Sequence, residues 1–490
     1  MFTDDHFDLL RERILGEELR SKILEPIPEE RASWQAAVDR NVNEFIDSLP
    51  LARTFTPRSE STIQDFDRAV EECETVPQLL TLVKNAVQDS GLLTAGPGHL
   101  AFVPGGGIYL GALADHLASA LNPFSADGFA APIAAHIHNE AIQWLCDLVG
   151  FGPGAYGDLT SGGTHATLSA FHAARRACQI KARDIPLLCI YVGEHTHHCC
   201  HKALDVLFGE EIQIRAVPSK SRAMDPTELD RLICEDLGAG LIPWVVVATA
   251  GSTNLGCVDP LDDISKVAKR HRLWFHVDAA YGGFFAALPE LKGTFLGIEQ
   301  ADSVVLDPHK GMFLPFGSGA VLLKEGGMMR QGSTGAYLQD RALNPDPCRS
   351  PMDFALELTR PFRALRLWLS LKVHGSETFA AASREKRLLA IYCAKKIEVM
   401  PHVTLVAQPD LSIFAFRFKG QGADCDAQTA QLLASINKHP EVFLSSTRVE
   451  GYMVIRVAIL SFRTHLETID RLIAIIQQES DRIARETTRV

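Results

Sequence analysis

The chain has 490 residues, 46% apolar and 22% charged, a balance that excludes disordered, collagen-like and coiled-coil proteins and leaves material for more than one structural unit. Its 48 Lys and Arg against 60 Asp and Glu give a net charge of −12, which argues against nucleic acid as a main partner. Eleven cysteines, an odd number without a CxxC pair, fit reduced thiols and a cytoplasmic location better than a disulfide framework.

In chain order, Met1-Phe2-Thr3-Asp4-Asp5 is acidic and lacks the basic and apolar parts of a signal peptide, so no export is expected. Residues 1–95 show helical spacing, as in Phe7, Leu10 and Ile14, broken by Pro26-Ile27-Pro28 and by the polar stretch 56–61; they read as a helical extension. A glycine-rich segment, Pro104-Gly105-Gly106-Gly107, follows. From about residue 184, apolar runs at 187–192, 244–249, 273–278, 303–306 and 320–323 predict buried strands, several separated by helix-length segments such as 262–271. The alternation predicts a large α/β domain over 96–370, with a mostly parallel sheet whose ligands lie beyond the carboxyl ends of the strands. Residues 331–351 read as a mobile loop. A smaller α+β domain over 371–490 holds strand-like 413–418 and 452–459 and an amphipathic helix at 466–484. No apolar run approaches the roughly 20 residues needed to cross a bilayer, and no membrane partner is expected.

The most specific signal is Asp307-Pro308-His309-Lys310-Gly311, directly after the apolar run Ser303-Val304-Val305-Leu306. Most lysines are simply solvated. One placed in a crevice, however, becomes a nucleophile or a Schiff-base former. The neighbouring signal is Trp274-Phe275-His276-Val277-Asp278-Ala279-Ala280, an apolar strand ending in a carboxylate. If buried, Asp278 needs a donor or a cation, such as a protonated pyridine nitrogen; a helix cap or a structural ion pair is the plain alternative. Ala279 and Ala280 allow close approach of a flat ring, and small residues also serve ordinary packing. Thr160-Ser161-Gly162-Gly163-Thr164-His165 opens a helix-like stretch that offers backbone N–H groups to a phosphate, as an ordinary cap also would. The stretch 194–203, Glu-His-Thr-His-His-Cys-Cys-His-Lys-Ala, carries zinc-type ligands, with His195 and His197 on one face if it is a strand. No second ligand pair is evident, so an imidazole stacked on a cofactor ring is preferred and no metal is expected.

Taken in this order, the four segments resemble the pyridoxal-phosphate-dependent group II amino-acid decarboxylases, from about Leu92 to the C-terminal unit. The resemblance implies a fold type I transferase-like α/β architecture, pyridoxal 5'-phosphate as cofactor and a homodimer. It makes Lys310 the cofactor-bearing lysine with His309 beside it, Asp278 the partner of the pyridine nitrogen, Ala280 a ring contact and His197 the stacked imidazole. Gly163 and Thr164 match the phosphate loop, and Thr249, in Ala248-Thr249-Ala250-Gly251, matches a further cofactor contact. The segment 102–121 is similar to the family's proline-containing stretch before the active site.

There are departures from the family pattern. Cys199 stands at a serine position, Asp307 where Asn is common, and His138 where glutamate is frequent. Ser350-Pro351 lies about where aromatic-amino-acid decarboxylases carry a loop tyrosine that acts as proton donor, shortly before the arginine that Arg360 matches; the loop's own tyrosine is Tyr337, well upstream. The expected activity is decarboxylation of an L-amino acid to the amine. The alternatives are oxidative decarboxylation-deamination to an aldehyde, carbon–carbon cleavage of a phosphorylated amino alcohol, and a cofactor-binding protein without turnover. For the substrate side chain, Tyr281 and Phe102 offer an aromatic wall and His136 and His138 a polar contact; each serves equally well as core or surface filling.

Overall fold

The computed structural model describes residues 4–57, 75–330, 349–420 and 423–488. Two compact units divide the chain, Met1–Leu93 and Thr94–Val490. The first is built on α1 (Asp4–Ser21), α2 (Pro28–Ser48) and α3 (Val76–Gln88), with the two-residue strands Phe55–Thr56 and Gly91–Leu92 paired antiparallel. Pro28 begins α2, where its fixed φ is pre-set for the helix and its missing N–H costs nothing. Glu30 accepts a hydrogen bond from the Ile27 N–H at 3.2 Å, completing the start of that helix. Helix α3 is tied to α2 by Lys84 to Glu44 at 3.0 Å and Gln88 to Ser48 at 3.1 Å. Along α1 the apolar residues stay uncovered within the chain, Leu10 at 52% exposed and Ile14 at 57%.

The second unit is centred on a seven-stranded sheet: β1 (Tyr156–Thr160), β2 (Leu188–Gly193), β3 (Gln213–Val217), β4 (Ile242–Thr249), β5 (Trp274–Asp278), β6 (Ser303–Leu306) and β7 (Gly319–Leu323), in the order β1-β7-β6-β5-β4-β2-β3. All neighbours are parallel except β7, which runs antiparallel to both β6 and β1. The central strands read as continuous apolar runs because both faces are covered. On one face Val246, Val277 and Val304 meet a core that includes Ile142, Leu229 and Ile264, from helices α5 (Pro132–Leu148), α8 (Pro226–Gly238) and α9 (Leu261–His271). On the other, Ile190, Val247, Val305 and Val321 pack with Ala170, Phe171 and Leu204, from α6 (Gly163–Ala177) and α7 (Cys199–Phe208). Helix α4 (Tyr109–Leu121) precedes the sheet. In β1 a Cβ at Gly157 would lie 2.2 Å from the Val321 carbonyl oxygen, so only glycine lets β7 pair there.

Further along the same unit, α10 (Ala364–His374) and α11 (Ser376–Glu398) lead to a four-stranded antiparallel sheet of β8 (Val403–Ala407), β9 (Ile413–Phe418), β10 (Ser445–Val449) and β11 (Tyr452–Ala458), ordered β8-β9-β11-β10. Phe414, Phe416 and Ile455 form its core with Ile397 of α11, Leu432 of α12 (Ala423–Ile436) and Ile469 of α13 (Leu466–Thr488). Among the described residues, no helix is long and apolar enough to cross a membrane.

Candidate active site

Since β1, β2, β4, β5 and β6 run in one direction, their carboxyl ends share one edge of the sheet. A cavity of about 320 Å³ opens there, at the small end of the range for small-molecule sites. It is lined by residues 161–165, His197, Cys199, Thr249, Asp278, Ala280, His309 and Lys310, together with Gly251, Thr253, Tyr281 and Asp307. The residues matched to cofactor contacts in the sequence, Tyr337 apart, therefore fall in one place. Tyr337 lies outside the described residues.

Asp278 ends β5 and Thr249 ends β4, side by side in the parallel register. The Asp278 carboxylate is 5% exposed; Oδ1 accepts the Ala280 N–H at 3.1 Å, and Oδ2 lies 4.0 Å from Cys199 Sγ. Behind β1, helix α6 starts at Gly163, and the N–H groups of its first turn have no partner within the helix, which makes that end receptive to an anion. A Cβ at Gly163 would lie 3.0 Å from Asp307 Oδ2, so this glycine lets the two walls meet.

After β6 the chain turns through Pro308–Gly311. Lys310 Nζ lies 2.8 Å from Asp307 Oδ2, with the lysine side chain 23% exposed and that of Asp307 only 3%. Burial pulls the Lys310 amine down, but the charge and hydrogen bond of Asp307, helped by Asp278 and Cys199, leave it above the ordinary lysine range. His309 Nδ1 is 2.6 Å from the Ser318 carbonyl oxygen, so that nitrogen carries the proton; burial lowers the pKa of its imidazole. Segment 104–106 seals this turn from behind, for a Cβ at Gly105 would stand 2.0 Å from the His309 oxygen.

His197 sits in the turn 194–198 between β2 and α7, not on a strand as the spacing of His195 and His197 allowed. Its Nδ1 accepts the Cys199 N–H at 3.2 Å, so a neutral ring carries its proton on Nε2. Its contact with the Cys199 side chain, outweighing burial, raises its pKa above the usual imidazole value. The Cys199 thiol is hydrogen-bonded to that of its neighbour Cys200; that interaction lowers Cys199 to about 6 and raises Cys200, and Thr167 Oγ1 lies 3.7 Å from the Cys199 sulfur. Cys199, which stands at a serine position of the family pattern, is thus part of the cavity wall. With Cys200 and Asp278 it also forms a group close enough to hold a metal ion, although nothing else in the geometry draws one there.

One supporting residue was not visible in the sequence reading. Asp259, 8% exposed, accepts the Thr249 N–H at 2.7 Å and the Met224 N–H at 2.8 Å, fixing the end of β4. Burial pushes its carboxyl from the ordinary 3.8 up to about 6. A folded-state value above the unfolded one means stability that is fully present at low pH and is lost as pH rises through about 6. Between about pH 4.5 and 7 this group should cost on the order of 2 kcal/mol. Denaturant unfolding at the two pH values should show a pH difference smaller by that amount in Asp259→Asn; an unchanged difference would remove Asp259 as its source.

Other expectations are redistributed. His138, 3% exposed, lies outside the cavity; its Nδ1 meets Arg360 at 3.1 Å, and burial with the Arg360 charge holds its imidazole well below the usual range. Arg360 in turn pairs with Asp158, so these residues form a buried polar cluster behind β1. His136 is on the surface, Phe102 is 59% exposed, and neither lines the cavity. Tyr281 does, but its hydroxyl is engaged by Ser412. At the end of the loop, Ser350 Oγ donates to Asp127 at 3.1 Å and accepts the Gly128 N–H at 2.9 Å, anchoring residue 350 beside segment 125–128.

Residues 60–419 match the pyridoxal-dependent decarboxylase conserved domain. The chain is 32% identical over 397 residues to an aromatic-L-amino-acid decarboxylase of Bacillus atrophaeus, covering 79% of this chain and 82% of that protein. It is 26% identical over 431 residues to a phenylacetaldehyde synthase of Arabidopsis thaliana, covering 84% and 88%. The crystal structure of Oryza sativa TDC with PLP and tryptamine superposes with a TM-score of 0.87 at 22% identity, over 94% of this chain and 99% of that one. The protein belongs to the pyridoxal-dependent decarboxylase family, with the fold type I architecture that its sequence resemblance implied. It is a carboxy-lyase whose cofactor is pyridoxal 5'-phosphate. The residues present suit that group: an amine for its aldehyde, a buried carboxylate for its ring nitrogen and a free helix N-terminus for its phosphate.

Proposed function

We propose that the protein decarboxylates an L-amino acid to the corresponding amine, with Lys310 as the cofactor-bearing residue. The observation that carries this reading is the meeting of Lys310, Asp278, His197 and the α6 N-terminus in one cavity at the carboxyl edge of the sheet. Bound pyridoxal phosphate supplies an electron sink for the bond broken at the substrate α-carbon. Asp278 would face the ring nitrogen and keep it protonated, with Ala280 leaving room for the ring. Gly163, Thr164 and His309 would hold the phosphate, and Thr249, braced by Asp259, would fix the ring edge. The His197 ring would cover one face and hold a proton at Nε2, toward the reacting carbon. Together these contacts set the ring plane and so select which bond at that carbon lies perpendicular to it.

The aldehyde-forming alternative is kept for two reasons: the relatives include phenylacetaldehyde synthases, and Ser350-Pro351 stands where a loop tyrosine would be expected. The loop 331–351 would close over the substrate and exclude water, with Tyr337 delivering the proton. An amino-acid panel assayed for carbon dioxide, amine, aldehyde and oxygen uptake tests the reading. Amine without oxygen uptake is expected, and Tyr337→Phe should divert product toward aldehyde. Aldehyde and peroxide from the unaltered protein would replace decarboxylation with the oxidative reaction, and an unchanged Tyr337→Phe would move the proton to another group such as His197.

The protein is further read as a cytoplasmic homodimer, with 371–490 as its small domain. Supporting this are the uncovered apolar residues of α1 and the free state of all nine cysteines among the described residues. Sedimentation should give a dimer at working concentration; a fully active monomer would reject it.

A further inference from the structure

We propose that Asp307 is the counter-ion that holds Lys310 as an ammonium until the cofactor arrives, so that this carboxylate sets the pH at which the site captures it. Asp307 is 2% exposed, and its Oδ2 takes the Lys310 ammonium at 2.8 Å. Its Oδ1 is buried without a hydrogen-bond partner, on a residue that lines the cavity. A buried carboxylate in this position is compensated chiefly by the lysine, and the lysine by it. The next basic group, the His309 ring, has Nε2 3.8 Å from Oδ2, beyond hydrogen-bond reach, and its proton is on Nδ1 toward Ser318.

The remaining groups around Lys310 divide by sign. Asp278 and Cys199 favour its charge and His197 and His309 oppose it, while His165 lines the same cavity. Asp307 alone among the described residues forms an ion pair with it. Capture needs the unprotonated amine. Its lone pair attacks the aldehyde carbon, a C=N bond replaces C=O, and the oxygen leaves as water with the two amine protons. The third ammonium proton must depart first, and the ion pair with Asp307 resists that loss. Asp307 is on this account a positioning residue that acts through Lys310.

The inference rests on Lys310 as the cofactor-bearing lysine, which borohydride fixation tests separately. The direct measurement needs no cofactor: competitive acetylation of Lys310 by trace acetic anhydride across pH, read by peptide mass on the stripped full-length protein. In the unaltered chain the midpoint should lie above that of ordinary lysines. In Asp307→Asn it should fall by about one pH unit, making Lys310 about tenfold more reactive at a fixed pH below both midpoints, while Asp307→Glu keeps the higher midpoint. The rate of cofactor capture should rise about tenfold in Asp307→Asn, with pyridoxal phosphate and with pyridoxal alike. A midpoint at or below the ordinary lysine range in the unaltered protein overturns the proposal even if the variant does not fold. An unchanged midpoint in a folded Asp307→Asn does so too. Acceleration confined to pyridoxal phosphate would mean that Asp307 acts by repelling the phosphate, and would also overturn it.

Discussion

Replacing Lys310 with alanine should abolish covalent capture of pyridoxal phosphate and lower turnover by at least on the order of 10³-fold, the loss expected when the covalently acting member of a catalytic group is removed. Lys310 lies in a cavity whose other walls suit the ring and the phosphate, so non-covalent binding should survive in weakened form. Borohydride treatment of the unaltered holoenzyme, followed by peptide mapping, should place the fixed cofactor on Lys310. Fixation on another lysine would dismantle the whole assignment. The alanine variant should also melt below the unaltered protein. Removing the ammonium leaves the Asp307 carboxylate buried without its ion pair, which is destabilising.

Asp278→Ala is expected to cost about 3–4 kcal/mol in the barrier to decarboxylation, or roughly 10²–10³ in kcat, as when a preorganised electrostatic partner is lost from a dry site. Asp278→Asn separates charge from shape: it can still accept the Ala280 N–H, but it cannot hold a proton on the ring nitrogen. Both variants should therefore be slow, with the asparagine form retaining more cofactor. Steady-state kinetics with equilibrium dialysis would resolve the two effects. Near-normal kcat in a folded Asp278→Asn would show that the carboxylate is structural, the plain alternative that its sequence context left open.

What could be read in the sequence follows from burial. The runs at 303–306 and 273–278 announced β6 and β5 because central parallel strands are apolar throughout, and Asp278 stood out as the charge that ended one. Strand β3 escaped notice: it pairs only with β2 at the sheet edge, and Gln213 and Ile214 face solvent. Strand β1 is fully buried yet reads Tyr-Gly-Asp-Leu-Thr, because Gly157 makes way for Val321 and Asp158 neutralises Arg360, and neither requirement is local. At the site, the glycines and the lysine carried recognisable spacing. The Asp259 brace did not, since its partners Met224 and Thr249 are distant along the chain and are bonded through backbone N–H groups that any residue possesses.

The antiparallel strand β7 has a bearing on how the protein is made. It pairs Gly319 with Thr160, and a Cβ at Gly319 would stand 2.5 Å from the Gly162 Cα, so the loop at the start of α6 is seated against the last strand of the sheet to be synthesised. Five strands and their helices lie between the two in sequence, and that pairing is among the most non-local in the fold. A chain still growing on the ribosome can form the lysine-bearing turn after β6 before it has a finished receptacle for phosphate. The affinity for pyridoxal phosphate should then appear late in biosynthesis, as the sheet closes on itself. The cofactor would lock a nearly complete domain rather than template its assembly.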